Sequence, residues 1–313
     1  SVTIDIASAR GRQLVRDMAK DADVLIENYK VGDLKRYGLD YASIRAINPR
    51  IVYCSVTGYG QAGPYAQRPG YDAVFQGQSG LMSVTGIPDG EPGGGPMRVG
   101  PSIVDVLAGH NATSAILAAL YARDANGGAG QHIDIALLDC GIAAVSNYAQ
   151  MFLVSGVSPP RRGTGGNGGI PAQAFNCKDR PIMITAGNNL QYARLCEALG
   201  RPDLIKDPRF VANEKRLENR KVLCDIIESI FRTRPAAEWL DILEKAGVPA
   251  GSINDLQAVF ADPQVKARGM EVKVKHPLKD DLSLLANPIK FSETPITTYR
   301  APPMIGADTD AVL

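Results

Sequence analysis

The sequence predicts an α/β protein with a large parallel-sheet domain and a smaller α+β domain. Residues 1–60 alternate in the order β-α-β-α-β, a pattern typical of a parallel sheet covered by helices. A Pro- and Gly-rich stretch at 158–171, SPPRRGTGGNGGIP, then interrupts the chain, and the pattern changes after it. With 313 residues the chain is long enough for two domains.

In the first half, apolar periodicity predicts the elements of a parallel sheet. The predicted strands are 2–6, 24–26, 50–57 and 131–136, and the predicted helices are 9–21, 34–37, 41–47, 71–86, 103–123 and one that includes 140–153. Ligands bind at the C-terminal ends of such strands. Residues 27–30 and 58–60 follow two of them and are therefore candidate ligand loops.

Two glycine-rich stretches match G-x-G-x-x-G, at 58–63 and 163–168. Pro64 follows the first at once, so its glycines do not open the crossover helix that a dinucleotide site needs. The second lies between two proline-containing segments. Both are interpreted as loops in which missing side chains let the backbone approach a bound group.

The second half has the pattern of a smaller α+β unit. The predicted elements are a strand at 181–186, helices at 189–199, 214–231, 236–246 and 256–261, a turn at 247–251, and an antiparallel pair of 270–275 with 282–285.

The most informative stretch is 127–145, GGAGQHIDIALLDCGIAAV. It runs from a turn through an alternating strand into a helix, and Asp139 lies where strand becomes helix. The positive end of the helix dipole favours the ionised carboxylate at this place. On the residues alone, a helix N-cap is the commoner role and a catalytic role is the alternative.

Composition disfavours several classes of protein. The net charge is +1 without Lys or Arg blocks, which predicts no nucleic-acid partner, and no apolar run is expected to be long enough to span a membrane. Five scattered cysteines without CxxC spacing and three separated histidines predict no metal site. The cysteine pattern favours a reducing compartment, either cytoplasm or an organelle matrix, rather than secretion.

Taken in order, several segments resemble the family III CoA-transferases, a group that also contains the α-methylacyl-CoA racemases. The resemblance covers nearly the whole chain and rests on the joint order of its segments. They are ADVLIEN at 22–28, NPRIV at 48–52, GYD at 70–72, SGLM at 79–82, GQHIDIALLD at 130–139, DPRF at 207–210, AGVPAG at 246–251, DPQVKARGM at 262–270 and GADTD at 306–310.

The resemblance implies a large Rossmann-like parallel-sheet domain and a smaller α+β domain, in a homodimer whose two chains interlink like rings. We expect the large CoA-binding and catalytic domain at 1–157, completed by 287–313, a glycine-rich linker or lid at 158–179, and the small domain at 180–286. The family begins with a further strand–helix stretch that carries a CoA-contacting loop. This chain, which starts at Ser1, is therefore expected to be a fragment.

The resemblance also implies a mechanism in which CoA thioester is a substrate and no cofactor is permanently bound. Asp139 matches the nucleophilic aspartate of the family, which forms a mixed anhydride with the acyl group and then an aspartyl-CoA thioester. The partners are then an acyl-CoA and a free carboxylic acid.

Further site residues follow from the same match. Asn28, Tyr29, Lys30 and Arg36 match the stretch that contacts CoA, and Tyr71 and Asp72 match positions beside the pantetheine arm and the nucleophile. The loop that closes over the site in the family matches Gly165, Gly166, Asn167, Gly168 and Gly169. Its composition is also that of a flexible linker.

Two other functions are open at this point. An α-methylacyl-CoA racemase pairs an acid at the position of Asp139 with a histidine in the segment that matches 70–72. Here that position is Tyr71, whose reference pKa of about 10 makes it a poor base near neutral pH. A non-catalytic CoA-binding module is the alternative from a different class. A small dicarboxylate such as succinate is the substrate suggested by analogy, with Arg68, Arg98 and Arg162 available to bind a second carboxylate.

Overall fold

The computed structural model describes residues 1–313. Its contacts divide the chain into two compact units, which we name the first unit (2–163 and 308–313) and the second unit (164–307 and Ser1). The division falls inside the predicted linker at 158–179, and it groups 287–307 with the second unit. The domain bounds drawn from the sequence stay a prediction.

The first unit is a mixed α/β structure built around a short parallel sheet. Its elements are α1 (Ala9–Ala19), β1 (Val24–Glu27), a 3₁₀ helix (Asp33–Tyr37), α2 (Tyr41–Ile47), β2 (Val52–Thr57), α3 (Asp72–Gln78), α4 (Leu81–Val84), β3 (Gly86–Ile87), β4 (Gly95–Pro96), α5 (Ile103–Ala125), β5 (His132–Ala136), α6 (Leu137–Val145) and α7 (Asn147–Ser155). The sheet has the order β1-β2-β5 with every pair parallel.

Strand β2 lies in the centre of this sheet and is covered on both faces, which explains its nearly continuous apolar sequence. On one face Val52 and Cys54 belong to a core cluster with Ala112, Ile116 and Ala119 of α5. On the other face Tyr53 packs in a cluster that includes Leu34, Leu39, Ile44 and Ile51. The central strand of the sheet is therefore buried between two layers of helices.

The expected strand at 2–6 was wrong. These residues are irregular and then enter a turn in which Ser8 N donates to Asp5 O, and Ser8 Oγ accepts from Gly11 N at 2.9 Å to cap α1. A strand needs a neighbour to satisfy its backbone groups, and the sheet order leaves none for this segment.

Two predicted helices are each broken by one residue with positive φ. The expected helix at 71–86 is interrupted before Gly80, whose φ of 88° follows the end of α3. The expected helix through 140–153 breaks at Ser146, with φ of 48°, so that α6 and α7 meet at 79°. The apolar periodicity gives no sign of either break, because the apolar residues keep helical spacing on both sides of it.

The expectation that no apolar segment is long enough to span a membrane was also wrong. Helix α5 has 23 residues and is long and apolar enough to do so by length and composition alone, and the bent α6–α7 pair passes the same test together. A core helix passes it too, and α5 contributes Val104, Ala108 and Ala112 to the interior. Length and apolar composition alone therefore do not separate a spanning helix from a core helix.

The second unit has an antiparallel sheet, a hairpin and a helical core. Its elements are β6 (Ala172–Asn176), β7 (Pro181–Thr185), α8 (Asn189–Ala198), α9 (Asp203–Lys206), α10 (Asn213–Glu218), α11 (Arg220–Phe231), α12 (Ala236–Lys245), β8 (Ala250–Ser252), α13 (Leu256–Ala261), α14 (Pro263–Ala267), β9 (Glu271–His276) and β10 (Lys279–Leu285). A last helical turn, α15 (Thr309–Val312), belongs to the first unit.

The core of the second unit contains an aromatic cluster. Phe231 packs against Phe175 and at 5.0 Å edge-on to Trp239, whose Nε1 donates to the Phe231 carbonyl at 2.9 Å. The indole is therefore buried with its polar atom satisfied. The antiparallel pair predicted for 270–275 with 282–285 is confirmed by the pairing of β9 with β10.

Two details of the second unit differ from the sequence prediction. The helix expected at 214–231 is split at Asn219, whose Nδ2 donates to the carbonyls of Lys215 and Arg209. An asparagine that bonds nearby backbone in this way competes with helical hydrogen bonds. The turn expected at 247–251 leads directly into β8, which pairs with β7.

All five cysteines are free thiols, and all are buried. Burial raises the pKa of Cys177, Cys196 and Cys224, each to about 11, because the apolar surroundings disfavour the thiolate. Burial likewise raises the pKa of Cys54, with Glu27 and Asp134 adding to the effect.

We expect alkaline conditions to weaken the second unit through these thiols. Above pH 9 an unfolded thiol ionises while the folded thiol keeps its proton, so the folded state binds more protons and stability falls as pH rises from 9 to 11. Each thiol contributes a slope of up to about 1.4 kcal/mol per pH unit. Urea midpoints between pH 8 and 10.5 should fall less steeply in a Cys177→Ala, Cys196→Ala, Cys224→Ala variant than in the wild type. Equal slopes would contradict the prediction.

Candidate active site

A cavity of about 770 Å³ opens at the C-terminal ends of β1 and β2 in the first unit. Its wall is formed by the residues that follow these strands, by the segment before α3, and by one turn of α5. The lining residues are Ile26, Glu27, Asn28, Tyr29, Lys30, Val31, Val56, Thr57, Gly58, Ala66, Arg68, Pro69, Gly70, Tyr71, Asp105, Ala108, Gly109 and Leu137. The parallel order of the strands places these segments at one edge of the sheet.

Four of the six predicted CoA contacts lie in this wall: Asn28, Tyr29, Lys30 and Tyr71. The first three form the loop after β1, which the Glu27 carboxylate shapes by accepting the Tyr29 N–H at 2.7 Å. Tyr71 is 81% exposed. The structure thus brings together side chains that are more than 40 residues apart in the sequence.

Asp139 lies just beyond the wall, in the first turn of α6. That helix starts at Leu137, which lines the cavity, and the Leu138 N–H donates to the carbonyl of the lining residue Gly58 at 3.0 Å. The Asp139 side chain is exposed, and no hydrogen bond or ion pair engages it. Ala136, and not Asp139, is the N-cap residue of α6.

The buried face of α6 holds Asp139 outward. Cys140 and Gly141 are buried, and Gly141 lies so close to Ser79 that an added Cβ would come within 2.7 Å of the serine Cβ. This contact needs a glycine for space. The arrangement leaves Asp139 as an exposed, unpaired carboxylate two residues beyond the cavity-lining Leu137.

The structure does not bring Asp72 into the cavity. The residue is buried, and its Oδ1 accepts the backbone N–H of Val104 at 2.8 Å and that of Asp105 at 3.4 Å. Its Oδ2 accepts from Gln76 Nε2 at 2.6 Å. Since Ser102 makes no side-chain cap, Asp72 satisfies the first N–H groups of α5 from another helix. It is an anchor for α5.

Arg36 also lies outside the cavity wall. It is on the 3₁₀ helix, where its guanidinium stacks 4.7 Å from the Tyr37 ring and lies 4.0 Å from Asp33. The side chain is 62% exposed.

Thr57 lines the cavity and was missed by the sequence analysis. Its side chain is buried, and its Oγ1 has no hydrogen-bond partner within the protein. A buried hydroxyl without a partner is costly unless something else satisfies it. The signal that could have found it is its place as the last residue of β2, where ligands of parallel sheets bind.

The charged groups of the wall are two of each sign: Lys30 and Arg68 against Glu27 and Asp105. Burial, and then the neighbouring Asp72 carboxylate, raise the pKa of Asp105. Of the three arginines suggested for a substrate carboxylate, only Arg68 lines the cavity. Arg98 donates to the carbonyls of Val99 and Gly100, and Arg162 is not in the wall.

The histidines have structural surroundings. No histidine lines the cavity. His132 Nε2 lies 3.0 Å from Ser55 Oγ with its ring stacked on Tyr41, and His276 Nδ1 accepts the N–H of Leu278 in the β9–β10 hairpin. No group of three or more His, Cys, Asp or Glu side chains could hold a metal ion.

The predicted lid residues, 165–169, belong to the second unit. Gly166 N donates to Ala172 O at 3.4 Å, and the loop ends at Ile170, which is fully buried. Gly168 is exposed, and a Cβ added there would meet nothing within 4 Å.

Comparison with known proteins identifies the family. Residues 1–309 match the profile described as CoA-transferase family III. The chain belongs to this family. The prediction made from the sequence segments is confirmed, and the protein is a CoA-transferase enzyme that uses CoA thioesters.

Curated relatives cover the whole chain. Succinate–glutarate CoA-transferase from Agrobacterium fabrum is 39% identical over 313 residues, which are 100% of this chain and 77% of that protein. Human succinyl-CoA:glutarate CoA-transferase is 37% identical, over 100% of this chain and 70% of that protein. Formyl-CoA:oxalate CoA-transferase from Streptomyces avermitilis is 31% identical, over 96% of this chain and 76% of that protein.

A solved structure agrees with the fold. The crystal structure of a CAIB/BAIF family protein from Brucella suis has 41% sequence identity and a TM-score of 0.85, and it covers 100% of this chain and 80% of that one. The α/β class with a parallel sheet is thereby confirmed.

We expect Asp72→Ala to destabilise the CoA-transferase without removing its CoA site. The change leaves the N–H groups of Val104 and Asp105 unsatisfied, which should cost about 2 kcal/mol. Urea unfolding measures the loss, with Asp17→Ala as the control, because Asp17 is exposed and paired only on the surface with Lys20 and Gln13. Unchanged stability together with lost CoA affinity would instead place Asp72 in the binding site.

Proposed function

We propose that this CoA-transferase moves CoA from an acyl-CoA to a free carboxylic acid through covalent acylation of Asp139. The observation that carries the proposal is the exposed, unpaired carboxylate in the first turn of α6, a helix whose first residue lines the cavity. A nucleophile needs an accessible lone pair, and Asp139 has one.

In the proposed reaction an oxygen of Asp139 attacks the thioester carbonyl. The C–S bond breaks, CoA thiolate leaves, and a mixed anhydride forms. The thiolate then attacks the aspartyl carbonyl, which releases the donor acid and leaves an aspartyl-CoA thioester. The acceptor carboxylate attacks this thioester, the C–S bond breaks, and CoA thiolate leaves as a second mixed anhydride forms between Asp139 and the acceptor. The thiolate then attacks the acceptor carbonyl of that anhydride, which releases the new acyl-CoA and the Asp139 carboxylate. One difficult exchange is thereby divided into easier steps.

The cavity beside Asp139 suits the pantetheine arm and phosphates of CoA. Asn28, Tyr29 and Tyr71 supply polar and aromatic surface, and Lys30 supplies a cation for phosphate. The unpartnered Thr57 hydroxyl is available to a bound polar group. We propose these residues as the CoA contacts in the first unit.

We propose Asp139→Ala as the decisive variant. Alanine keeps helix α6 but removes the nucleophile, so transfer should fall by a factor on the order of 10⁴ while CoA still binds. In the wild type, succinyl-CoA and hydroxylamine together should modify the peptide that contains Asp139, as detected by mass spectrometry. Glu238→Ala is the control, since Glu238 is another exposed carboxylate in the first turn of a helix.

Transfer at near wild-type rate by the alanine variant would refute the nucleophile. CoA binding without modification of the wild type would favour a non-catalytic binding module. Incorporation of solvent deuterium at the α-carbon would favour a racemase. The cavity wall lacks the histidine that a racemase would use as its second base.

We further propose a dicarboxylic acid as substrate. The relatives named above act, by their names, on succinyl, glutarate and oxalate groups, all of which come from dicarboxylic acids. A second carboxylate needs a cation, and Arg68 is the arginine in the cavity wall. Its guanidinium lies 3.8 Å from the Tyr65 ring, which fixes its plane.

Arg68→Met tests this assignment. Loss of a charge-assisted contact should raise the KM for glutarate by about tenfold or more and leave the KM for the monocarboxylate butyrate unchanged. Arg98→Met is the matched control, because the Arg98 guanidinium is engaged by nearby backbone carbonyls. Equal effects on both acids would remove Arg68 from the recognition of the second carboxylate.

We propose the interlinked homodimer of the family as the working form. Exposed apolar side chains on and after α7, Phe152, Leu153, Val154 and Val157, are consistent with an interface. The five free cysteines are consistent with a reducing compartment, either the cytoplasm or an organelle matrix.

A further inference from the structure

The glycine loop, residues 165–169 of the second unit, is held at its first half by an arginine of α11. Arg220 Nη1 donates to the Gly166 carbonyl at 3.0 Å, and its Nη2 donates to Gln173 Oε1 on β6 at 3.1 Å. One planar guanidinium thereby ties the loop to the strand that follows it. Such a fork fixes direction as well as distance.

The other end of the loop is held by an arginine of α10. Arg216 Nε donates to the carbonyl of Ile170 at 2.8 Å, while its two Nη atoms donate to the carbonyls of Phe210 and Gly187 and to Asn189 Oδ1 at 3.0–3.2 Å. Asn213, at the start of the same helix, accepts the Ile170 N–H at 3.0 Å. The backbone N–H and carbonyl of Ile170, the residue that follows the loop, are therefore both bound by side chains of α10.

Arg216 is an unusual residue to find in a core. It is fully buried and no carboxylate pairs with it, although its guanidinium stacks 4.4 Å from the Tyr192 ring. Burial lowers its pKa. A buried charge without a counter-ion is costly, and an apolar side chain of similar size fills such a place at lower cost. What the cation supplies is directed donors for three separate backbone segments.

Backbone contact fixes the same end of the loop. Gly169 and Gly187 approach so closely that a Cβ on Gly169 would lie 2.4 Å from Gly187 Cα. The middle is different, since Gly168 is exposed and an added Cβ there would meet nothing within 4 Å. The glycine loop is thus a short, open arc between two fixed ends.

We infer that Arg216 and Arg220 are positioning residues for the glycine loop, which set where its open middle can travel during catalysis. The inference rests on the proposed function and on the match between this loop and the loop that closes over the site in the family. Neither arginine acts on the substrate. Each acts through the loop backbone that it binds. With the ends fixed, movement of the loop is confined to a few glycine residues.

The test compares Arg220→Met with Arg220→Lys and with Arg232→Met. Arg232 is the C-cap residue of the same helix and pairs with Glu228 on the surface, so it controls for general loss of stability. The first measurement is amide hydrogen exchange in the peptide covering 163–171, with the β7 peptide 181–186 as an internal reference. The second is the partition of succinyl-CoA between transfer to glutarate and hydrolysis.

For Arg220→Met we expect exchange in 163–171 to rise while that in 181–186 stays at the wild-type rate. We expect kcat for transfer to fall about tenfold with little change in the KM for succinyl-CoA, and the hydrolysed share of the thioester to rise. Arg220→Lys should recover part of both effects, because it keeps one donor. Arg216→Met, if it folds, should show the same pattern more strongly.

Unchanged exchange in 163–171 for Arg220→Met would overturn the inference, whatever the enzyme catalyses. Raised exchange with unchanged partition and kcat would overturn it as well, because the contact would then be structural only. A wild type that transfers no CoA would refute the proposed function instead. The exchange rates would then decide by themselves whether the arginines hold the loop.

Discussion

The parallel alignment of β1, β2 and β5 is the constraint on which the candidate active site depends. Because all three strands run in one direction, their C-terminal ends meet at one edge, and the residues that leave them form one wall. Strand β5 passes into α6 without an intervening loop, since Ala136 ends the strand and Leu137 begins the helix. Because Asp139 lies in the first turn of α6, its position is set by the end of strand β5.

This geometry needs firm support behind it, and buried polar contacts supply part of that support. Asp72 holds the N-terminus of α5 through backbone N–H groups, and Gln76 binds Asp72 and the backbone at Val99 and Pro101. Gly141 lets α6 approach Ser79 closely. These contacts leave few alternatives for the placement of α5 and α6, the two helices that flank the cavity. A carboxylate predicted to contact CoA thus serves the scaffold.

In the second unit too, a buried side chain binds backbone groups from distant segments. There a buried guanidinium, rather than a carboxylate, gathers backbone carbonyls from several segments, one of which is the end of the glycine loop. In both units a buried polar side chain without an ionic partner is satisfied by backbone groups and side-chain amides. Such a group is expensive to bury, so its position specifies one arrangement of the backbone around it.

Much of this protein could be predicted from the order of its residues. The β-α-β alternation predicted the parallel sheet, because hydrophobic period reports which faces are buried. The 130–139 segment and its neighbours identified the family and the candidate nucleophile, and the loop after β1 predicted cavity residues 28–30. These features are local, and local spacing is what a sequence displays directly.

Tertiary structure decided the rest. Residues 2–6 have the pattern of a strand but no neighbour to pair with, and the helices that break at Ser146 and Asn219 keep helical spacing through the break. Asp72 lies next to Tyr71 in sequence, yet one is buried under α5 and the other lines the cavity. Whether a carboxylate stays exposed, as Asp139 does, or is engaged by backbone N–H groups, as Asp72 is, depends on partners distant in the chain. Such partners meet only after folding.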